Sequence, residues 1–226
     1  MNGTKRTKRM HISDSNLNVF ICGNRDYIQG TQIVARSIDK LKLASSLLLQ
    51  CQFKEILRNL VRLSVSDSDR TSSIGEAIFQ DNQGVRRTVY FMKSEVKAAC
   101  LDEEMKMDWL VRKGDKPLFG IINFKDVKNI EDALNVMVQG VKYLHSELNN
   151  SVYDIWWTGL RGATMSTDWP KSRSSGTIEV TPQRVLRDNK VYQTLLRLKW
   201  TFDSDEPDQS ATISFVVKSE VDIHVD

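Results

Sequence analysis

The chain has 226 residues, of which 40% are hydrophobic and 27% charged, the ordinary balance of a soluble globular protein with room for one sizeable domain or two small ones. Its net charge of +3 is more than accounted for by Lys5, Arg6, Lys8 and Arg9, so the body is near neutral and nucleic acid is not an expected partner. The longest aliphatic run, Leu47–Leu49, is too short for a bilayer span, and the N-terminus lacks the apolar core of a signal peptide; the three scattered cysteines fit a reducing cytoplasm, the expected location.

In chain order, residues 1–16 read as a disordered basic tail. Asn18–Cys22 has strand composition, and the turn-rich segment that follows ends at Gly30. Ile33, Val34, Ile38, Leu41, Ala44, Leu48 and Leu49 recur mostly at three- and four-residue steps, which predicts a helix from about Thr31 to Cys51. Phe53–Val65 is compatible with either regular structure: Ile56, Leu57, Leu60 and Val61 fit a helix, whereas Leu63–Asp67 looks like a strand running into a turn. Ile74–Gln80 and Val85–Met92 predict a hairpin across Asp81–Gly84, with Gly84 available for a positive φ. Val96–Gly114 is a charged connector centred on Asp102, Glu103 and Glu104.

The pattern then restarts. Leu118–Phe124 is a predicted strand, and Asn129 can cap a helix whose first turn carries Glu131 and Asp132, favourable near its positive end. Ala133, Leu134, Met137, Val138, Val141 and Leu144 mark the inner face of that helix. Tyr153–Leu160, Gly176–Arg187, Val191–Phe202 and Ala211–Val221 are predicted strands, with Pro170 and Pro182 confining the early part of the ladder to edges or bends. Two helices starting about 100 residues apart, each followed by antiparallel strands, predict an internal duplication. The expected units are 17–96 and 117–226, with 97–116 as linker, joined edge to edge so that open strand edges are hidden. Cys22, Cys51 and Cys100 stand apart without a CxxC pair, against a disulfide framework or a zinc site. No Walker-type loop, GxGxxG, HExxH or GxSxG occurs, and no cofactor or metal is expected.

The second half resembles the hot-dog fold of β-hydroxyacyl-acyl-carrier-protein dehydratases and acyl thioesterases. The stretches that carry the resemblance are the helix Ile130–Leu148, Ile155–Met165, Thr177–Val180, Tyr192–Trp200 and Ala211–Val216. In the first half, Tyr27–Val34 resembles the family's turn into its central helix, with Gln29-Gly30 where a Pro-Gly pair usually stands. The resemblance implies an α+β fold of two hot-dog units in one chain, each a long central helix wrapped by a curved antiparallel sheet. It also implies an acyl thioester ligand on acyl carrier protein or coenzyme A, and homo- or hetero-oligomers with other hot-dog subunits. A dehydratase of this family uses a histidine from one unit and a helical carboxylate from the other. Here His11, His145 and His224 do not follow the expected strand, and the helical acid's place falls near Ala35 and Asn135, so that pair is not carried over.

A helix N-terminus can stabilise negative charge developing on a thioester oxygen. Just before the first helix, Asp26 is a candidate general base or a turn residue, and Tyr27 a proton donor or a residue packed over the helix end. Gly30 and Thr31 are candidate oxyanion N–H donors or a tight turn. Asn123 and Asp126 hold the equivalent place in the second half. Arg161, near Trp156 and Trp157, is a candidate for binding a carrier phosphate or carboxylate, or a surface residue. The expected function is dehydratase-like or thioesterase-like processing of an acyl thioester with a non-standard residue set. The alternative is a non-catalytic hot-dog scaffold, ligand sensor or inactive partner of an active subunit.

Overall fold

The structure, a computed structural model, describes residues 16–22, 27–43, 45–101, 108–147, 152–163, 165–168, 174–188, 191–203 and 209–219. The first part of the chain forms β1 (Ile21–Cys22), α1 (Gly30–Leu41), β2 (Leu47–Phe53), β3 (Asn59–Ser64), a 3-10 turn at Asp67–Asp69, β4 (Gly75–Gln80), β5 (Arg86–Lys97) and β6 (Cys100–Leu101). The remainder forms β7 (Asp108–Lys113), β8 (Gly120–Val127), α2 (Ile130–Ser146), β9 (Val152–Arg161), β10 (Met165–Ser166), β11 (Ser174–Asp188), β12 (Val191–Phe202) and β13 (Gln209–Ser219).

Eleven of these strands make one sheet in the order β3-β5-β4-β2-β9-β13-β12-β11-β8-β7, with β10 beside β2. All its pairings are antiparallel. Both helices share one hydrophobic core with this sheet, including Ile33, Val34 and Ile38 from α1 and Leu134, Met137 and Val141 from α2. The strand order on the two sides of the β2–β9 seam differs. β13, the last strand, lies against β9 on one side, whereas β4 lies against β2 on the other and β5 stands outside it.

The helix expected over Thr31–Cys51 stops at Leu41. Lys42 takes the left-handed conformation at φ 53°, and the Lys42 and Leu43 N–H groups close back on the carbonyls of Asp39 and Ile38. This is a helix stop built without the usual glycine, with Leu43 buried behind it. Leu47–Leu49 therefore begins a strand, and the apolar spacing that suggested more helix is set by β2 burying Leu48 and Cys51 across a bulge at Leu48/Gln50. The charged connector also contains an ordered strand: β7 forms a sheet edge along β8. Arg112 and Lys113 at its end suit an edge that must not template further pairing.

Other features follow the sequence closely. Asn129 Oδ1 accepts from the Asp132 N–H at 2.9 Å and caps α2. Gly84 takes φ 80° in the β4–β5 turn. Pro182 sits in β11 beyond its last pair with β8, Val180↔Gly120, where only β12 flanks the strand, and a bulge follows at Pro182/Arg184.

The seam places the site. β2 pairs with β9 at Cys51↔Leu160 and Gln52↔Gly159, and with β10 at Leu48↔Met165 and Leu47↔Ser166. A Cβ at Gly159 would lie 2.5 Å from the Cys51 carbonyl oxygen, so this approach needs glycine. Beyond Gln52 the strands part: Phe53 pairs only with Gly75, and β9 from Trp157 back toward its start pairs only with β13.

Candidate functional site

A cleft of about 50 Å³ opens where β2 and β9 separate, against the N-terminus of α1. Ile33, Phe53, Leu57, Val138, Trp156 and Trp157 give it apolar walls, and Tyr27, Thr31, Glu55, Gln139 and Lys142 supply the polar groups. An apolar cleft with a few convergent polar groups is the usual form of a small-ligand site.

The helix end facing this cleft is open. Gln29 is the N-cap, but no side chain caps α1 and its first turn carries no acid. The Gln29 carbonyl accepts from Gln32 and Ile33, so the N–H groups of Gly30 and Thr31 precede the helical ladder and have no intrahelical acceptor. Gly30 and Thr31 line the cleft, which sets these donors and the positive helix end beside any ligand. At α2, by contrast, the Asn129 side chain accepts from the Asp132 N–H, and Glu131 and Asp132 place negative charge in the first turn.

Gly30 is needed for space, its φ being ordinary for a helix. A Cβ there would meet Phe53 Cε2 at 2.6 Å, Phe53 Cζ at 2.9 Å and Trp157 Cζ3 at 3.0 Å. Phe53 is held by stacking on Phe91 at 5.5 Å and by a tilted contact with Trp157 at 5.3 Å, so these rings form a fixed wall. Trp157 Nε1 donates to the Gly159 carbonyl at 2.9 Å, and Trp156 carries the Lys218 ammonium over its ring at 4.9 Å. Both tryptophans line the cleft and both are half-buried, so neither is the plain core residue that strand alternation suggested.

Lys142 Nζ donates to the Tyr27 hydroxyl at 3.0 Å. The ammonium is also 5.6 Å from the ring centroid, which with the short contact to oxygen puts it beyond the hydroxyl along the ring's long axis; the contact is a hydrogen bond, not a cation–π pair. Since an ammonium only donates, the Tyr27 oxygen accepts and its own proton is left to point elsewhere. Behind the cleft, the Thr31 hydroxyl donates to Asn135 Oδ1 at 2.6 Å, and Asn135 Nδ2 is buried without a partner. Further along the helix pair, Arg36 meets Glu131 at 3.4 Å. Burial raises the Glu131 carboxyl above its usual range, with Arg36 opposing.

Of the residues singled out in the sequence, Tyr27, Gly30, Thr31 and Trp156 come together here. Asp26 lies outside the described residues, as do His11 and His224. Asn123 is on β8, its Nδ2 donating to the Leu110 carbonyl at 3.5 Å on the β7–β8 edge, and it is not part of the cleft. Arg161 is exposed at the end of β9, also outside the cleft. Asp126 is exposed at φ 60°. His145 is fully buried: Nδ1 donates to the Val141 carbonyl and Nε2 accepts from Thr194 Oγ1, each at 2.8 Å. Gln139 and Lys142 were not anticipated. Their signal is positional, at one and four residues beyond the apolar Val138 and hence on neighbouring strips of one helix face. Among the described residues, no cluster of His, Cys, Asp or Glu is arranged to hold a metal, and no helix is long and apolar enough to cross a membrane.

No protein-family model matches the chain, and no curated protein matches it. Among solved structures it is similar to GphF Dehydratase 1, with 12% identity, a TM-score of 0.45, and 90% of this chain and 89% of that one covered. It is similar to a monomeric dehydratase domain from a trans AT polyketide synthase split module at 8% identity and a TM-score of 0.44, covering 88% and 92%. A trans-acyltransferase polyketide synthase enoyl-isomerase gives 8% identity and a TM-score of 0.46, covering 90% and 96%. Likenesses this distant leave the chemistry of the cleft to be argued from its own residues.

Proposed function

We propose that the chain is a tandem hot-dog protein that binds an acyl thioester, linked to acyl carrier protein or coenzyme A, in the cleft at the start of α1. The observation that carries this reading is the open helix end: Gly30 and Thr31 present N–H groups with no acceptor among the described residues to a cleft walled by Phe53, Trp156 and Trp157. A thioester carbonyl oxygen at those N–H groups gains stabilisation as negative charge develops on it, and the Tyr27 hydroxyl proton is available as a further donor. The acyl chain lies against the aromatic wall. Processing in a dehydratase-like or thioesterase-like sense assigns Asp26 as base and Tyr27 as acid.

A second reading, a non-catalytic binding unit, is favoured by one feature. Where the resemblance places a helical carboxylate, Asn135 offers an amide already engaged by Thr31. Incubation with a panel of acyl thioesters, followed by mass spectrometry for turnover and calorimetry for binding, separates the readings. Turnover that falls at least about tenfold in Asp26→Ala and Tyr27→Phe supports the enzyme. Binding without turnover supports the binding unit, and absence of both removes the thioester proposal.

A further inference from the structure

We infer that Lys142 gives the cleft a preference for acyl groups that carry a carboxylate at their free end; this rests on the thioester reading above. Lys142 is half-buried, and its Nζ bonds a neutral hydroxyl, that of Tyr27. Among the described residues no carboxylate lies within 4.0 Å of it. Glu55, the acid of the cleft, is exposed and committed to Lys93 at 3.5 Å. A cation withdrawn from water on one side, with one ammonium proton bonded and the other two without an acceptor among the described residues, is best satisfied by an anionic oxygen. The open end of α1 adds the same sign of potential, and nothing in its first turn cancels it. Around these charges the walls are apolar, which suits a short hydrocarbon spacer between a thioester carbonyl and a terminal carboxylate.

The test uses the full chain and three probes whose acyl portions have equal carbon number: free valerate, the valeryl thioester of N-acetylcysteamine, and the glutaryl monothioester of N-acetylcysteamine. The neutral carrier removes any contribution from a carrier phosphate. Calorimetry is expected to show the glutaryl thioester binding about tenfold or more tighter than the valeryl thioester, the usual effect of a charge-assisted hydrogen bond. Lys142→Met is expected to reduce glutaryl affinity about tenfold more than valeryl affinity, and Lys142→Arg to keep the preference. Circular dichroism verifies that each variant is folded. Equal affinity for the two thioesters, or a preference that survives Lys142→Met, overturns the inference while leaving the thioester reading intact. Binding of free valerate and failure of both thioesters removes the thioester reading and leaves an anion site at Lys142. Binding of none of the three removes both.

Discussion

Thr31 and Asn135 join the two helices through one buried hydrogen bond, with side chains from α1 and α2 meeting at 2.6 Å and exposures of 1% and 2%. In either orientation of the Asn135 amide one of its two polar atoms has no partner, so the contact satisfies half of what it buries. The Thr31 hydroxyl has a second acceptor within reach, Gln29 Oε1 at 3.4 Å. The two partners are therefore unequal. Thr31→Val is expected to cost roughly 1–3 kcal/mol, because it strands the whole Asn135 amide. Asn135→Leu removes the orphaned group and lets Thr31 turn to Gln29, so its cost is expected within about 1 kcal/mol. Urea denaturation of the two variants measures the order; a costlier Asn135→Leu contradicts it.

Gly30→Ala is expected to destabilise the fold by roughly 1–3 kcal/mol, since the new methyl meets a ring held by stacking on Phe91 and by the tilted contact with Trp157. The gain in helix propensity is smaller, below about 1 kcal/mol at this terminal position. Phe53→Leu in the same chain is expected to recover part of the loss by clearing the contact. Thermal melts of the single and double variants check this, and additive losses would contradict the packing account.

His145 makes acid stability predictable in sign. Burial, with a smaller contribution from nearby Lys142 and against the Val141 hydrogen bond, lowers its pKa from 6.5 to about 4. Between those values the unfolded chain takes up the proton and the folded one does not, so stability falls as pH drops from 6.5 toward 4. The full effect is on the order of 3 kcal/mol, about 1.4 kcal/mol for each unit of the shift. Denaturation midpoints of the parent chain and His145→Gln, compared across that interval, are expected to converge as pH falls. Parallel curves would show that this ring does not titrate on unfolding.

The cysteines are expected to separate by reactivity. Cys100 is exposed, whereas Cys51 is buried and its thiol is pushed up to about 12 by desolvation. A thiol reagent at neutral pH is expected to modify Cys100 within minutes and Cys51 only at the rate of unfolding. Peptide mapping of the native and urea-treated chain reads out the difference, and early modification of Cys51 would contradict its placement.

Much of the fold was legible because local chemistry and tertiary packing agree along the second half. Asn129 carries a capping side chain, and Val191–Phe202 alternates buried and exposed residues along β12, so helix and strand were both visible. In the first half they conflict. Leu41 to Leu49 has apolar spacing that a helix or a bulged strand can use, and the stop at Lys42 depends on a left-handed lysine that no turn residue announces. β7 was hidden by its charge, because an edge strand needs no second buried face. At the site, Tyr27, Gly30 and Thr31 were found because they adjoin a helix start. Lys142 lies 115 residues from Tyr27 in sequence, and their contact depends on how the helices pack. Asn123 looked equivalent to the first-half site residues by position along the chain, and Arg161 stood near Trp156 and Trp157, but the cleft that opens at α1 beside the β2–β9 seam includes neither.

The close approach at Gly159 ties the joint between the sheet's two sides to the capacity of the cleft. Its carbonyl also receives Trp157 Nε1, so one residue anchors the wall ring and permits the strands to touch. A methyl group there would act as a wedge at the last fastened rung, and splitting that rung would lengthen the opening toward Cys51. The smallest side chain in the joint thus sets where the cleft ends.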